Sequence, residues 1–423
     1  MKRLTVVLLI LALTAYFAPG ALAHEQQKIP VFVDGLPVAF DVPPVIQNQR
    51  VLVPFRAIGE ALNIEVSWDY LTRTVRATDG ENSVVLPIGS NTAYRNGSPI
   101  SLEVPPQILK GRTLIPLRFF GEAFGCRVDW DGALKEVRIA SPPAAMTVIG
   151  FYALGDSRTS SWTNLFGMPY PRHAPGNTDI VDELALGWYS LDKDGNLLTR
   201  SRTGWQRPDG WERVLEAAEK YKLKTEMVVH VTDGDGTLSS LLADGKAMER
   251  AINEITREGV LYQGVNLDFE GLGYQDTGAE LQAVRDAFTG FVAKLAGKLK
   301  VAGLNLTLTL HAPNSAYRGY DYQALGGLAD RIIIMAYDYG TTPEPVDLVR
   351  EAVEMARAAV PAEKLVLGIS VPAETAASVL TKMGMAKRYG LDGIALWRLG
   401  LVPGEIWEAL RSTIVPGNRP DLG

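Results

Sequence analysis

The sequence predicts an α/β protein in which a (β/α)8 barrel follows a small α+β domain made of two tandem repeats. Two observations predict this: eight apolar segments alternate with helical patterns in the C-terminal part, and the N-terminal part contains one duplicated block. Of the 423 residues, 47% are hydrophobic and 21% are charged, which is the composition of folded globular domains. A chain of this length is expected to form two or three domains.

Residues 1–23 are typical of a signal peptide. Lys2 and Arg3 precede the apolar run at residues 4–18, and the A-L-A at residues 21–23 provides a small-x-small cleavage pattern. An uncleaved membrane anchor is the alternative, which the shortness of the run disfavours. No later segment is long and apolar enough to span a bilayer. We therefore expect a secreted protein, extracellular or associated with the cell wall.

Composition excludes several classes of partner and cofactor. A formal net charge of −6 gives no indication of a nucleic-acid partner. Cys126 is the only cysteine, so the chain cannot form an internal disulfide. His173, His230 and His311 are too scattered for a zinc site, and no glycine-rich phosphate loop occurs, so we expect no metal and no cofactor. His230 and His311 end predicted strands, so each either lines a cleft or is buried by packing.

The duplicated block covers residues 30–140, and its two copies are offset by 62 residues. R-V-L-V-P-F-R at residues 50–56 returns as R-T-L-I-P-L-R at residues 112–118, and G-E-A and W-D elements recur at the same offset. Each copy predicts short strands around one helix, with a hairpin at residues 32–40 and a helix at residues 55–62 in the first. One copy alone would bury a poor core, so we expect the two to pack together.

This block resembles the stalk module named after the N-terminal domain of copper amine oxidases. The V-P-x-R-x-x-G-E-A and W-D elements carry the resemblance over the whole block. The copper in that name does not transfer, because the block has no histidine and a single cysteine. We interpret the module as a spacer or as an attachment to the cell wall. Trp68 and Trp130 could bind sugar, although packing in the core is the favoured interpretation.

Residues 141–145 (S-P-P-A-A) have the composition of a linker; the barrel is expected at residues 146–414, with a tail at residues 415–423. Candidate strands lie at residues 147–154, 183–189, 224–231, 264–269, 305–311, 331–338, 364–370 and 393–398. The clearest helical patterns lie at residues 211–221, 246–258, 280–300, 346–359 and 376–389. Eight such β/α units predict a TIM barrel, with a doubly wound open sheet as the alternative. Residues 155–182 show no convincing helix and are expected to form a loop that faces substrate.

The fourth predicted strand carries three polar side chains on one face. Asn266, Asp268 and Glu270 alternate along it and therefore point into the barrel, whose active sites lie at the C-terminal ends of the strands. Neighbouring carboxyls oppose each other's ionisation, so one should hold a proton near neutral pH, as a general acid requires. We expect Glu270 to be the protonated group. A buried polar cluster or salt bridge is the purely structural alternative.

The run Q-G-V-N-L-D-F-E at residues 263–270 resembles the D-x-x-D-x-D-x-E signature of family 18 glycoside hydrolases, the chitinase family. Gln263 and Asn266 replace the first two aspartates of that signature, whereas Asp268 and Glu270 match it. The resemblance is closest to the G-V-N-I-D-F-E version of bacterial spore-cortex and cell-wall members, which also has asparagine. The two replacements bear on the type of substrate more than on the activity.

Three further motifs match the same family in the same order. G-F-Y at residues 150–152, M-A-Y-D at residues 335–338 and L-W at residues 396–397 end predicted strands one, six and eight. Each motif alone is weak, but the four together span about residues 146–414. The resemblance therefore implies the fold and activity of family 18 for this region.

By this resemblance, Glu270 would protonate the glycosidic oxygen. Asp268 would orient the 2-acetamido group of the substrate, whose carbonyl oxygen is itself the nucleophile. Tyr337 would hydrogen-bond the acetamido group, and Asp338 would contact the same sugar. Trp397 would stack beneath the sugar ring.

Tyr152 would support Asp268, and Asn266 and Met335, which lie in the same motifs, are further candidates for substrate binding. The resemblance thus implies a secreted, retaining hydrolase of β-linked polysaccharide that contains N-acetylglucosamine. Peptidoglycan is the favoured polymer, and wall attachment through the stalk module would fit it. A chitinase is the nearest alternative, and a non-catalytic sugar-binding protein on the same fold is the alternative from another class.

Overall fold

The computed structural model describes residues 29–153, 158–201 and 203–416. The predicted signal peptide lies outside the described residues, as do residues 417–423 of the predicted tail. Across the described ranges, we find no helix with the length and apolar character needed to cross a membrane.

The N-terminal domain consists of short strands and two short helices. The strands are β1 (Val31–Val33), β2 (Leu36–Pro37), β3 (Val45–Gln47), β4 (Arg50–Pro54), β5 (Glu65–Asp69), β6 (Thr74–Thr78), β7 (Ser83–Pro87), β8 (Thr92–Arg95), β9 (Ser98–Ser101), β10 (Gln107–Leu109), β11 (Arg112–Pro116), β12 (Arg127–Asp131) and β13 (Glu136–Ala140); the helices are α1 (Phe55–Ala61) and α2 (Leu117–Ala123). They form three sheets, with strand orders β12-β13-β1-β2, β10-β11-β4-β3 and β5-β6-β7-β8-β9.

The two repeats meet at the antiparallel pair β4 and β11. Val53 pairs with Ile115, and Leu52 pairs with Pro116. Since Ile115 is the counterpart of Val53 at the repeat offset, a local two-fold axis passes between these two residues. Both are fully buried in one apolar cluster that draws residues from both copies and includes Cys126, whose thiol pKa burial raises to about 12. The expectation that the copies share a core is confirmed.

The C-terminal domain is a closed barrel of eight parallel strands. The strands of this domain are β14 (Ala144–Tyr152), β15 (Glu183–Leu191), β16 (Leu197–Leu198), β17 (Lys224–Thr232), β18 (Gly264–Glu270), β19 (Asn305–His311), β20 (Arg331–Met335), β21 (Leu365–Ser370), β22 (Gly393–Trp397) and β23 (Ile414–Pro416). All but β16 and β23 form the barrel, and β14 closes it by pairing with both β15 and β22. The predicted TIM barrel is confirmed.

Helices cover the outside of the barrel. They are α3 (Ser161–Phe166), α4 (Glu212–Lys220), α5 (Thr237–Ala243), α6 (Gly245–Gly259), α7 (Gly278–Ala302), α8 (Tyr322–Leu328), α9 (Val346–Ala359), α10 (Ala376–Tyr389) and α11 (Gly404–Thr413), with 3-10 turns at Ala362–Lys364 and Val371–Ala373. The five predicted helices correspond to α4, α6, α7, α9 and α10, and the last two match to the residue.

The structure differs from the sequence-based expectations at element ends. Strand β14 begins at Ala144, inside the predicted linker, because its first residues pair in parallel with β23. Strand β23 in turn includes the first two residues of the predicted tail. Helix α3 forms where the sequence predicts none, with the Ser160 side chain accepting from the Thr163 N–H as an N-cap.

The N-terminal domain packs directly on helix α10 of the barrel. Arg388 donates hydrogen bonds to the backbone oxygens of Val33, Leu36 and Pro37, at 3.1–3.2 Å. Leu36 is only 1% exposed and belongs to the apolar cluster of the barrel, not to that of its own domain. Polar and apolar contacts therefore both fix the domain to the barrel.

We expect Gly384→Ala to weaken this contact. A Cβ at position 384 would lie 2.4 Å from the Cβ of Asp34, so the domains would have to shift apart. Glycine to alanine within a helix otherwise stabilises by about 0.5–1 kcal/mol. The control is Gly290→Ala in α7. A Cβ at position 290 would meet nothing within 4 Å, so this variant should raise the Tm. In thermal unfolding followed by circular dichroism, a Tm gain for both variants alike would show that the contact contributes nothing.

Candidate active site

The polar residues of β18 point into the barrel, as the alternation predicts. Asn266 and Asp268 are 0% and 2% exposed, whereas Leu267 and Phe269 belong to the apolar layer between the strands and the helices. Glu270 ends the strand and is partly accessible, with 28% of its side chain exposed. The three side chains therefore rise from the barrel interior to its C-terminal rim, where solvent reaches only Glu270.

Glu270 lies between two histidines. The His230 Nε2 lies 3.1 Å from the Glu270 Oε1, and the His311 Nε2 lies 3.7 Å from the Oε2. The Gly271 N–H donates to the His311 Nε2 at 3.3 Å, so this nitrogen acts as an acceptor, and burial lowers the pKa of His311. His230 is thus the histidine that can donate to Glu270. The sequence leaves open whether His230 and His311 line the cleft or are buried by packing. In the structure both line the cleft beside Glu270.

The pKa values of the two carboxyls shift in opposite directions. Burial, together with the charge of Glu270, raises the pKa of Asp268 to about 7. Burial also acts to raise the pKa of Glu270, but the hydrogen bond and charge of His230 outweigh it and the pKa is lowered. A proton held near neutral pH is therefore on Asp268, which corrects the expectation that Glu270 carries it. The cause is His230, a partner on the neighbouring strand that the spacing along β18 does not show.

Tyr337 joins the two carboxyls. Tyr337 lies two residues beyond Met335, the last residue of β20, and burial together with the charges of Asp268 and Glu270 raises its pKa well above the usual range. The Asp268 Oδ1 is buried and has no hydrogen-bond partner among the described residues. The structure therefore brings together the three residues that the sequence predicts to be catalytic.

Two other predicted residues stand beside this group. Asp338 directly follows Tyr337, is exposed, and has a left-handed backbone (φ 65°) that lets its N–H donate to Glu344 at 2.9 Å. Met335 ends β20 and is 7% exposed, two residues after Ile333 of the barrel interior. Both residues lie at the C-terminal end of β20, and their contact with a sugar stays a prediction.

Asn266 does not reach the cleft, which corrects its assignment to substrate binding. It has no exposed surface, its Nδ2 donates to the Glu226 Oε2 at 3.3 Å, and its Oδ1 accepts from the Thr309 hydroxyl at 2.8 Å. Glu226 is held in turn by Arg331 at 3.0 Å. Asn266 belongs to a buried network beneath Asp268 and supports the strand from below.

Tyr152 also lies outside the cleft, and its predicted support of Asp268 is wrong. It belongs to the apolar layer outside the strands, with its ring 6.1 Å from that of Trp188. Its neighbour Phe151 is the interior residue and contacts Trp397. The G-F-Y motif places the strand correctly, but it does not show which of two adjacent aromatics points inward.

Trp397 lies at the rim as predicted, but a second indole covers it. Trp205 stacks on it with ring centroids 4.8 Å apart and planes 26° apart. A sugar between two rings needs about 7 Å, so a sugar can bind this face of Trp397 only after Trp205 moves. Gly187 makes room for Trp205, since a Cβ there would lie 1.9 Å from its ring. Trp205 is not among the predicted site residues; its signal in the sequence is Gly187, because a glycine inside a strand marks a close approach.

The acid cluster also has the spacing of a possible metal site. His230, Asp268 and Glu270 each offer a ligand atom, and these atoms lie within 4.8 Å of one another. The sequence predicts no metal, and His230 already uses its Nε2 to bind Glu270.

Two family models match separate parts of the chain. Residues 32–139 match the copper amine oxidase N-terminal domain, and residues 203–377 match the glycosyl hydrolases family 18. The family 18 match therefore lies within the barrel, and the copper amine oxidase N-terminal match lies within the domain that precedes it.

Two proteins of Bacillus subtilis are similar to part of the chain. The chain is 36% identical over 118 residues to the putative sporulation-specific glycosylase YdhD of Bacillus subtilis (strain 168), which is 26% of either chain. It is 30% identical over 142 residues to the cortical fragment-lytic enzyme of the same organism, which is 30% of this chain and 31% of that one. The chain thus spans less than a third of the length of these relatives.

Solved structures share the fold. The spore cortex-lytic enzyme SleL of Bacillus megaterium QM B1551 superposes with a TM-score of 0.53 and 16% identity, covering 75% of this chain and 81% of that one. The chitinase from Chromobacterium violaceum ATCC 12472 gives a TM-score of 0.52 and 20% identity, covering 63% and 98%. At these identities the likeness shows the barrel fold.

The opposite pKa shifts predict opposite effects on stability. The folded pKa of Asp268 lies above its unfolded value, so stability is lost as pH rises through about 7. Asp268→Asn removes this loss and should raise the Tm by about 5 °C at alkaline pH, with the difference vanishing below about pH 4. Glu270, whose pKa is lowered, adds stability above its unfolded pKa, so Glu270→Gln should lower the Tm at alkaline pH. Calorimetry across pH tests both signs; a destabilised Asp268→Asn at alkaline pH would contradict the assignment.

Proposed function

We propose that this chain, whose barrel carries a family 18 glycosyl hydrolase domain, is a secreted glycoside hydrolase. Its substrate is a β-linked polysaccharide that contains N-acetylglucosamine, with peptidoglycan favoured, and it retains the anomeric configuration. The observation that carries the proposal is the meeting of Asp268, Glu270 and Tyr337 at the C-terminal end of the barrel strands. Secretion rests on the signal-peptide pattern of residues 1–23.

Glu270 is the general acid of the proposed reaction. It is the carboxyl of β18 that solvent and substrate can reach. Its hydrogen bond to His230 holds it as a carboxylate, while Asp268 holds a proton below it. Binding of a sugar adds further burial, which favours the neutral form of Glu270 and the transfer of a proton to it. Asp268 then becomes the anion when positive charge develops on the substrate.

The nucleophile is the acetamido oxygen of the substrate. Asp268 precedes Glu270 by two residues on the same strand face, so it cannot stand on the opposite face of the sugar, where a protein nucleophile attacks. Its charge instead stabilises the bicyclic oxazolinium ion that the acetamido group forms. Tyr337, which follows the C-terminal end of β20, holds the same group by a hydrogen bond.

The names of the relatives support peptidoglycan as the polymer. One is called a cortical fragment-lytic enzyme and another a sporulation-specific glycosylase. A chitinase remains the second candidate, since its chemistry is the same. The chain between Ser370 and Gly393 holds only a 3-10 turn and α10, which leaves no room for the cleft-deepening insertion of many processive chitinases. Parallel digestion of peptidoglycan and chitin, with mass analysis of the new reducing ends, separates the two.

We expect Glu270→Gln to fold normally and to lose turnover by about 10²–10⁴-fold, since it cannot donate a proton. Release of reducing ends from a soluble fragment of the polymer measures this. The control is Glu280→Gln on the exposed face of α7, which should keep full activity. Near-normal turnover of Glu270→Gln would rule out the acid role, whereas absence of turnover by the unchanged chain would favour the sugar-binding protein.

If the acetamido group of the substrate is the nucleophile, one class of compound should inhibit the enzyme and one class of glycoside should resist cleavage. A thiazoline analogue of N-acetylglucosamine should inhibit, because it mimics the bicyclic intermediate. Substrates with a plain 2-hydroxyl should bind without being cleaved. Asp268→Asn should lower kcat much more than it changes KM, because its charge matters most in the transition state. Trapping of a sugar bound covalently to the protein would overturn this mechanism.

A further inference from the structure

The N-terminal domain carries two grooves that its local two-fold axis relates. The first groove, about 750 Å³, lies between α1 and the β5–β6 hairpin of the first repeat and the β10–β11 hairpin of the second repeat. The second groove, about 380 Å³, lies between α2 and β12 of the second repeat and the β3–β4 hairpin of the first repeat. Each repeat thus supplies the helix side of one groove and the hairpin side of the other.

Counterpart residues line the two grooves. Arg56, Trp68, Ile108 and Arg112 line the first groove. Each has its repeat counterpart, 62 positions away, in the lining of the second groove: Arg118, Trp130, Ile46 and Arg50. The duplication has therefore kept one constellation twice, namely a tryptophan, an isoleucine and two arginines, one arginine from each repeat.

The tryptophans are available to a ligand. Trp130 is 41% exposed, which corrects the expectation that it packs in the core; Trp68 is half-buried and packs against the core as expected, and it also lines the first groove. Tyr70, 84% exposed, stands edge-on to Trp68 with ring centroids 6.1 Å apart and extends the first groove. Flat aromatic faces beside polar groups suit the C–H face of a pyranose ring.

The arginines add positive charge that can be redirected to a ligand. Arg112 is paired with Asp41, and its counterpart Arg50 is paired with Glu103, all at exposed positions. Exposed ion pairs of this kind contribute little and exchange partners readily. Arg56 has no ion pair among the described residues and lies over the ring of Phe55. A planar guanidinium in such a position recognises carboxylates by paired hydrogen bonds.

We propose that the two grooves bind a glycan strand of N-acetylated sugars that carry carboxylate groups, which is the chemistry of peptidoglycan. Two equivalent sites on one small domain suit a polymer whose chemistry repeats, and tryptophan with arginine suits sugar with carboxylate. The choice of this polymer rests on the proposed function of the barrel. The grooves then hold the catalytic domain on its own substrate by contacts outside the active site.

Binding is tested with the full chain carrying Glu270→Gln, so that the polymer stays intact. The probe is purified peptidoglycan in a sedimentation assay. Trp68→Ala and Trp130→Ala should each weaken binding about tenfold, and the pair about a hundredfold, because two linked sites reinforce each other. Binding should weaken with salt, and neutral chitin should bind less tightly. Tyr94→Ala, an exposed aromatic outside both grooves, is the matched control and should bind normally.

Two further double variants show whether a loss of binding comes from the groove or from misfolding. Trp68→Phe with Trp130→Phe keeps the flat rings and should restore binding. Arg56→Gln with Arg118→Gln changes only exposed side chains and should weaken binding to peptidoglycan while leaving binding to chitin unchanged.

The outcomes separate this inference from the proposed function. Undiminished binding by the double tryptophan variant overturns the grooves as a glycan site, whatever the turnover. Equal, salt-insensitive binding to chitin overturns the carboxylate class of ligand. A change of oligomeric state in light scattering without a change in glycan binding shows that the grooves receive a second copy of the chain. Absence of turnover on soluble fragments, in contrast, contradicts the proposed function alone.

Discussion

Burial of two carboxyl groups two residues apart on β18 is the constraint on which the catalytic centre depends. Asp268 and Glu270 share one strand face, so neither can turn away from the other. Two negative charges there would be costly, and the structure resolves this by giving the proton to Asp268 and a hydrogen bond from His230 to Glu270. The neighbouring strand is therefore part of the site, because without His230 the proton would be free to move to Glu270.

A second consequence of this burial lies beneath the carboxyls. Asn266, the next inward residue of β18, is tied to Glu226, and Arg331 holds Glu226 and Glu183 at the opposite end of the barrel. Burial raises the pKa of Glu226, but the adjacent guanidinium opposes that shift. Removing Arg331 would leave uncompensated buried charge, which costs far more than the pair contributes. Polar residues therefore run through the barrel from its base to its catalytic rim, in an interior otherwise filled by apolar side chains.

Sequence patterns predict what depends on periodicity and miss what depends on contacts between strands. The inward position of Asp268 and Glu270 follows from alternation alone, and the eight strands follow from apolar runs. The inward phase of β14 does not, because Phe151 and Tyr152 are both aromatic and only packing distinguishes them. The reversed pKa order has the same origin, since His230 lies 40 residues from Glu270 in the chain. Resemblance to a family supplies roles but not the neighbours that tune them.

In the duplicated domain, the first repeat both lines the grooves and contacts the barrel. A Cβ at Gly35 would lie 2.3 Å from the Thr381 Oγ1 of α10, whereas a Cβ at its counterpart Gly97 would meet nothing within 4 Å. Leu36, buried against the barrel, corresponds to the exposed Ser98. Both copies thus keep the core pair and the groove residues, whereas only the turn of the first copy contacts the barrel. Because docking fixes the domain to the barrel, a glycan held in a groove stays at a set distance from Glu270. This fixed distance raises the local concentration of substrate at the cleft only if one polymer strand can reach both the groove and the cleft. The N-terminal domain therefore helps the barrel only on a long, continuous glycan strand.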